Sequence, residues 1–381
     1  MAVSFLDVLV LLGGLQGFIV AAILFLSKRS GITNRLLGTL LLLMSLASLN
    51  IFLINQPWFN QSTALNIAHE IIPMVIFMPA GPLIYFYIRS FYERDFRIER
   101  AQRIHFYSVI LDLIPHVVVL IYIFGILAGF LKSGNPAWGS FVDQYNTYVD
   151  IPRWISLLLY LWLSFKYMRL NRLKIKAIKP EISTWPGQLI IAFGIFLIIW
   201  LLHLIPYIIP AYSDKMLNLV GWYPIYIPGA IIIYWLSIKS YQLIYQQIMQ
   251  EKRTSILLSS LSGSAIGEAI KRLKDSMEKD KAFLNPDLNL NMLAEHTGLS
   301  AKLISAILNQ ELNSSFSGFI NEYRIKEIKH RILQPMNNNL TIAGIAFDCG
   351  FNSQPTFQRV FKASTGLTPT EFLQKSIQNQ E

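Results

Sequence analysis

The chain has 381 residues, of which 53% are hydrophobic and only 15% are charged, and its mean hydropathy is +0.42. An ordinary globular protein carries roughly 25% charged residues, so this composition excludes a chain that is soluble and globular throughout. The formal net charge is +10. The single cysteine, Cys349, excludes an internal disulfide and a cysteine-rich metal site, and we expect it to be a small buried core residue.

The positive charge is concentrated in the hydrophobic part of the chain. Residues 1–250 carry 18 Lys and Arg against 10 Asp and Glu, whereas residues 251–381 carry 15 against 13. Basic residues beside apolar segments bear on the orientation of a protein in a membrane. This excess is therefore better explained by membrane orientation than by binding to nucleic acid.

Seven apolar stretches are candidates for membrane-spanning helices, because about 20 apolar residues are needed to cross the hydrocarbon layer. The first is too long for the apolar region of a cleaved signal peptide, which has about 7 to 15 residues, so we expect it to remain as a span. The predicted spans are residues 5–26, 36–54, 71–92, 107–130, 152–168, 188–210 and 223–241.

Basic residues alternate between the connecting segments, and Lys and Arg are retained on the cytoplasmic side. The segments after spans two, four and six hold few: none, then Lys132 and Arg153, then Lys215. The segments after spans one, three and five are rich in them, with Lys28, Arg29 and Arg35, then Arg89, Arg94, Arg97, Arg100 and Arg103, then Lys166, Arg169, Arg172, Lys174, Lys176 and Lys179. The pattern predicts a multi-pass protein of the bacterial inner membrane with its N-terminus outside and its C-terminal domain in the cytoplasm.

Three regions follow from this reading: a seven-transmembrane sensor domain over 1–241, a juxtamembrane helix and linker over 242–264, and a helical domain over 265–381. The stretch YQLIYQQIMQEKR is expected to continue the last span as a helix. The small polar residues of TSILLSSLSGS, residues 254–264, are expected to break it.

The C-terminal region repeats itself approximately, over residues 289–320 and 341–373. Each copy opens on a residue that caps helices well, runs one short helix, and turns on a glycine, Gly298 or Gly350. An apolar residue, a serine cap and a second helix follow in each copy. This order is typical of a helix-turn-helix unit.

Two such units joined by a long helix, residues 316–334, resemble the DNA-binding domain of the AraC/XylS family of bacterial transcription regulators. The second copy carries the resemblance best, in GFNSQPTFQRVFKASTGLTPTEF. The resemblance covers about residues 265–375 and implies an all-α domain that binds double-stranded DNA, often as a homodimer. Seven spans ahead of it are similar to the membrane-bound subgroup of that family.

In the second unit, the spacing of Phe357 and Phe361 turns both toward the core. Gln354, Gln358, Arg359 and Lys362 are then left facing outward. Glutamine pairs with adenine and arginine with guanine, whereas Lys362, at the far end of the helix, suits a phosphate. The resemblance implies that Gln354, Thr356 and Arg359 read bases.

The first unit departs from the family pattern. Alignment places Lys302, Ser305, Ala306 and Asn309 on its outer face, with Ala306 where the family commonly has arginine. Asn313 replaces the glycine at the helix exit. We expect weaker base specificity here, with Lys302 and Ser305 contributing to DNA binding.

Polar residues inside the predicted spans are candidates for binding a signal molecule, namely Asp112, His116 and His203. Asp112 and His116 are spaced to form a mutual ion pair or hydrogen bond. By rise per residue, Asp112 lies about 5 Å and His203 about 20 Å from the cytoplasmic end of its span, which argues against a shared site. The alternative for all three residues is packing between helices.

No catalytic motif is present, and the sequence implies no enzyme, cofactor or metal. The leading hypothesis is a membrane-embedded transcription regulator whose partners are operator DNA, membrane lipid, a small-molecule or envelope signal and a second copy. The alternatives are a transporter or receptor with a regulatory helical domain, a protein-interaction module, and a constitutive tether of DNA to the membrane.

Overall fold

A computed structural model of the chain describes residues 4–27, 31–93, 96–178, 184–259, 261–333 and 341–378. Within these ranges the regular structure is helical and no strand occurs, which confirms the all-α class. The chain divides into two compact units, Met1–Leu243 and Ile244–Glu381. Four basic residues of the orientation argument, Lys28, Arg29, Arg94 and Lys179, lie outside the described residues.

The first unit is built from helices of very different length. They are α1 (Phe5–Leu26), α2 (Ile32–Ile54), α3 (Pro57–Asn60), α4 (Thr63–Ile71), α5 (Ala80–Tyr92), α6 (Val109–Leu127), α7 (Pro136–Tyr148), α8 (Asp150–Ile178), α9 (Trp185–Ile208) and α10 (Pro210–Val220), with a 3-10 helix over Arg100–Phe106. The next helix, α11 (Tyr223–Ser259), begins in the first unit and ends in the second.

Among the described residues, four helices are long and apolar enough to cross a membrane: α1, α2, α6 and α9. A fifth is added if α10 and the first part of α11, which meet at a bend of 55°, count as one span. The predicted count of seven is therefore not confirmed. The third predicted span has only the 13 residues of α5 in a helix, and α8 carries Arg153, Lys166 and Arg169 along its apolar stretch.

Prolines explain why residues 71–92 do not form one helix. Pro73 and Pro79 lack the backbone N–H that a helix interior needs, and residues 73–77 are not helical. Two N–H groups left by this break, those of Phe77 and Met78, donate to Asp112 Oδ2 at 2.8 and 2.7 Å. Asp112 thus satisfies backbone that would otherwise be unpaired inside the unit.

Helices α1 and α2 run in opposite directions, because the start of α1 lies beside the end of α2. At one end Asp7 Oδ1, at the start of α1, accepts from Asn55 just after α2 and from Tyr223 at the start of α11, at 2.8 and 3.0 Å. We call this the Asp7 end of the bundle. The start of α9 lies elsewhere, where Trp185 Nε1 donates to the hydroxyl of Tyr87, late in α5, at 2.9 Å.

The linker was expected to lose its helical structure from residue 254, but α11 continues to Ser259. Leu258 is buried in a core cluster of the second unit, and this packing favours helix in a stretch whose local composition does not. The next helix begins at Gly263.

The second unit contains α12 (Gly263–Glu278), α13 (Leu290–Thr297), α14 (Ala301–Gln310), α15 (Phe316–Ile332), α16 (Ile342–Asp348), α17 (Gln354–Thr365) and α18 (Pro369–Gln378), with a 3-10 turn over Ala282–Leu284. Two cores lie on either side of α15. Phe319 and Ile320 join the core of α12, α13 and α14, whereas Ile325 and Ile328 join that of α16 and α17. The long helix predicted between the two repeats is therefore shared by both cores.

Candidate functional site

A cavity of about 290 Å³ lies within the first unit. Its lining includes Asp112 and His116, two of the three residues predicted to bind a signal molecule. It also includes Asn50 near the end of α2, Asp150 at the start of α8 and Trp222 just before α11. The cavity therefore lies toward the Asp7 end of the bundle.

Asp112 and His116 do not pair with each other. Asp112 Oδ1 accepts from Arg153 Nε at 2.7 Å, and Oδ2 accepts the two backbone groups described above. His116 Nδ1 instead donates to the carbonyl oxygen of Glu70 at 2.8 Å. Asp112, in the first turn of α6, therefore lies beside the first turn of α8, which carries Asp150 and Arg153.

His203 lies behind the cavity rather than in its lining. Its ring is 5.2 Å from that of Trp222 and 6.3 Å from that of Tyr207, and both of these aromatic residues line the cavity. His203 is 5% exposed, and its Nε2 has no hydrogen-bond partner among the described residues. His203 thus contacts two residues of the lining without lining the cavity itself, and the expectation that it does not share a site with Asp112 stays a prediction.

The two helix-turn-helix units of the second unit form as their local sequences predict. Asn289 caps α13 and Thr341 caps α16 through side-chain oxygens that accept backbone N–H groups. Gly298 and Gly350 follow these helices with φ of 68° and 91°, a left-handed region that side chains disfavour.

The second helix of the second unit, α17, has one buried and one exposed face. Phe357 and Phe361 are 2% and 0% exposed and pack edge to face, with ring centres 5.6 Å apart. The opposite face exposes the predicted DNA-binding side chains. Gln354, Gln358, Arg359 and Lys362 line one concave surface together with the first residues of α16 and α18. We call these four residues the α17 face.

Thr356 is exposed as well but does not line that concave surface. Its hydroxyl accepts a hydrogen bond from Ser353 Oγ at 2.8 Å. Ser353 occupies the cap position of α17 without capping a backbone N–H itself. The two hydroxyls therefore bond to each other at the start of the helix.

In the first unit, Lys302 of α14 is exposed, whereas Ser305 is half-buried and accepts from Asn309 Nδ2 through its carbonyl oxygen at 2.7 Å. Ala306, predicted to face outward, is 0% exposed. That prediction is wrong because α14 packs against α12, α13 and α15, which cover a wide arc of its surface. Asn313 adopts φ of 46°, the left-handed conformation expected there.

A contact that local sequence does not reveal joins the two cores. Arg324 of α15 donates to the carbonyl oxygens of Phe283 and Asn285, and its guanidinium lies 5.6 Å from the centre of the Phe351 ring. Burial lowers the pKa of Arg324 from its ordinary value, although the group stays charged near neutral pH. Only the position of an arginine in a helix shared by two cores hints at this role.

Cys349 is fully buried in the core of the second helix-turn-helix. Burial raises the pKa of its thiol to about 11. The thiolate is therefore scarce at neutral pH, and the side chain acts as a small apolar group, as predicted.

Comparison with known proteins agrees with this geometry. Residues 293–375 match the family model described as a helix-turn-helix domain. The chain is 28% identical over 135 residues to the porin thermoregulatory protein EnvY of Escherichia coli, covering 35% of this chain and 49% of the relative. It is 29% identical over 115 residues to the arabinose operon regulatory protein of Salmonella typhimurium, covering 29% of this chain and 40% of the relative.

The second unit contains an AraC-type helix-turn-helix domain. An uncharacterized HTH-type transcriptional regulator of Staphylococcus aureus is 35% identical over 86 residues, which is 23% of this chain and 11% of that protein. The chain thus spans half or less of the length of these relatives. None of them is named as an enzyme, in agreement with the predicted absence of catalysis. No solved structure matches the chain.

The family match concerns only the second unit, because residues 293–375 all lie in it. The DNA-binding residues of the α17 face, with Thr356, Lys302 and Ser305, stay predictions, as do the signal-binding roles of Asp112, His116 and His203. Of the first set, all but the half-buried Ser305 are exposed, and the second set lies in or next to the lining of one cavity.

Proposed function

We propose that this protein is a membrane-embedded transcription regulator that senses a signal in its first unit and binds specific DNA through its AraC-type domain. Three features of one chain support the proposal. The first unit contains four or five helices suited to a membrane, it encloses a cavity lined by polar and aromatic groups, and a DNA-binding domain follows in the same chain.

The α17 face is the observation that carries the DNA-binding part. In a helix-turn-helix the second helix enters the major groove, and its first residues meet the base edges. Gln354 and Gln358 offer amides for adenine, and Arg359 offers a guanidinium for guanine. Lys362, farther along the helix, offers an ammonium group to a DNA phosphate. Thr356, at the start of the helix, is proposed to lie beside the major groove.

The α14 helix supplies the second contact with DNA. Lys302 is exposed for a phosphate, and Ser305 offers a short polar side chain. Ala306 is buried and adds no contact, so this helix contributes affinity more than specificity. Units that read successive major grooves lie about one helical turn apart, roughly 34 Å, and we expect two blocks in the operator with that spacing.

The membrane part of the proposal follows from charge and hydropathy. The proposed location of the first unit is the bacterial inner membrane, which its apolar helices support. The proposed orientation has the N-terminus outside and the AraC-type domain in the cytoplasm, which the distribution of basic residues favours. A signal then shifts the balance between two states of the first unit, provided that it binds one of them more tightly. Helix α11 joins the units in sequence, and a homodimer on DNA completes the proposal.

A reporter fused after residue 381 tests this arrangement in cells. We expect a cytoplasmic fluorescent protein to be active and alkaline phosphatase, which needs the periplasm, to be inactive. The chain should also fractionate with the inner membrane. An active phosphatase at this position would contradict both the orientation and the DNA-binding role.

A further inference from the structure

The cavity of the first unit carries an excess of negative charge. Its charged lining consists of three carboxylates, those of Glu70, Asp112 and Asp150, and one guanidinium, that of Arg153. Two histidines, His69 and His116, also line it and add no charge in their neutral form. The protein therefore leaves the cavity short of positive charge.

Arg153 is not available to bind an anion. Its Nε donates to Asp112 at 2.7 Å and its Nη1 to Asp150 at 3.0 Å. Its Nη2 points to the carbonyl oxygen of Val75 at 3.4 Å, and its side chain is only 11% exposed. An anionic ligand would have to break a buried ion-pair network to reach this guanidinium, which is costly.

Aromatic rings form much of the remaining wall. Phe77 and Trp200 meet edge to face at 4.9 Å, and Tyr207 and Trp222 do so at 4.8 Å, with His203 packed behind Trp222. The face of an aromatic ring attracts a cation, most strongly when water is excluded. The wall thus combines aromatic rings with more carboxylates than guanidinium groups.

Glu70 is placed to meet a ligand that enters the cavity. Its side chain is 52% exposed, and its carboxylate lies 3.7 Å from His69 Nδ1. Asp150 sits deeper, with 11% of its side chain exposed. One carboxylate therefore lies near solvent and another lies within the cavity, beside the aromatic wall.

We infer that this cavity binds a small organic amine in its cationic form, with the ammonium group among Glu70, Asp150 and the aromatic rings. A volume of about 290 Å³ suits a molecule at the small end of the usual ligand range. This inference rests on the proposed signal-sensing role of the first unit and names the class of signal. Asp112 holds Arg153 and the broken backbone in place, and His203 supports the wall.

Binding is tested on the full-length protein in nanodiscs without DNA, by calorimetry and by thermal shift. The probes are aromatic and aliphatic primary amines, phenethylamine and putrescine among them. Each is compared with an alcohol and a carboxylate of the same carbon skeleton. We expect at least one amine to bind more tightly than both of its counterparts.

Glu70→Gln should weaken amine binding about three- to tenfold by removing one attractive charge. Trp222→Leu should weaken it by a similar factor through loss of a ring face. Asp214→Asn is the matched control, because Asp214 is an exposed carboxylate of α10 that does not line the cavity. It should leave amine binding unchanged.

The inference is overturned if no amine binds more tightly than its alcohol or carboxylate counterpart, or if Asp214→Asn and Glu70→Gln have equal effects. DNA binding by the same preparation is measured separately. An amine that binds without changing DNA binding supports the cavity assignment but removes signal sensing from the proposed function. If the protein binds DNA but binds no amine, the amine inference is overturned and the proposed DNA-binding function stands.

Discussion

Arg324 in α15 donates from Nε to the carbonyl oxygen of Phe283, at a distance of 2.8 Å. The two residues are far apart in sequence, and Phe283 belongs to the core of the first helix-turn-helix. Gly350, at the turn of the second helix-turn-helix, lies against the same pair, because a Cβ there would be 2.6 Å from Phe283 O and 2.9 Å from Arg324 Nε. This contact joins the two helix-turn-helix units of the domain.

Arg324→Met should loosen that junction while keeping most of the apolar stem. Loss of two charge-assisted hydrogen bonds, one part-buried to the carbonyl group of Phe283 and one exposed to that of Asn285, should cost about 1 to 3 kcal/mol of unfolding free energy. Faster hydrogen exchange of the α17 amides in the full-length protein would report the loss. Lys326→Met, on the exposed part of the same helix, is the control and should change exchange little. Equal exchange in the two variants would show that the junction does not depend on Arg324.

Gly350→Ala should destabilise the domain more than Gly298→Ala. Both glycines have positive φ, so each alanine costs about 1 to 2 kcal/mol in backbone strain. Only Gly350 is also blocked by backbone oxygen, whereas nothing lies within 4 Å of a Cβ at Gly298. Thermal melting of the two variants side by side measures the difference. A Gly298→Ala variant that melts as low as Gly350→Ala would refute the close approach.

Arg359→Ala and Lys362→Ala should have different effects on DNA. Loss of a bidentate contact to guanine should cost about 1 to 3 kcal/mol and relax the preference at one base. Loss of a phosphate contact should weaken all sequences similarly and lower the slope of log affinity against log salt by about one. Titrations of matched and mismatched sites at several salt concentrations separate these effects. If Arg359→Ala leaves both affinity and preference unchanged, the assigned register of α17 is wrong.

Asp112→Asn should destabilise the first unit. The carboxylate of Asp112 accepts from Arg153 through one oxygen and from the Phe77 and Met78 N–H groups through the other. An amide has only one oxygen, so either Arg153 or the two backbone N–H groups lose their acceptor. Removing one partner of a buried ion pair costs about 3 to 5 kcal/mol, although Arg153 keeps Asp150. In nanodiscs, the melting temperature of Asp112→Asn should lie well below that of Asp214→Asn. Identical melting curves would exclude a structural role for Asp112.

Local signals made the AraC-type domain predictable. Caps, glycine turns and the Phe357 and Phe361 spacing depend on neighbours a few residues away, and all appear as expected. The burial of Ala306 depends on how α12 and α15 cover α14, which its own helix does not encode. Arg324 acts on carbonyl groups about forty residues away, so periodicity could not reveal it.

The first unit was harder to predict because hydropathy does not report a broken helix. Residues 71–92 are apolar enough for a span, yet their prolines leave an irregular stretch that Asp112 satisfies. Asp112, Arg153 and Trp222 line one cavity although they lie far apart in sequence, and neither hydropathy nor helical rise connects them. The candidate residues were found from sequence, but their partners were not.

Selection of genomic DNA fragments by the full-length protein in nanodiscs tests the central claim most directly. The account predicts enrichment of a site with two blocks about one helical turn apart, the more specific block being the one that Arg359→Ala relaxes. The claim would be contradicted if the recovered fragments shared no sequence and if a variant with alanine at Gln354, Arg359 and Lys362 recovered them as well as the wild type.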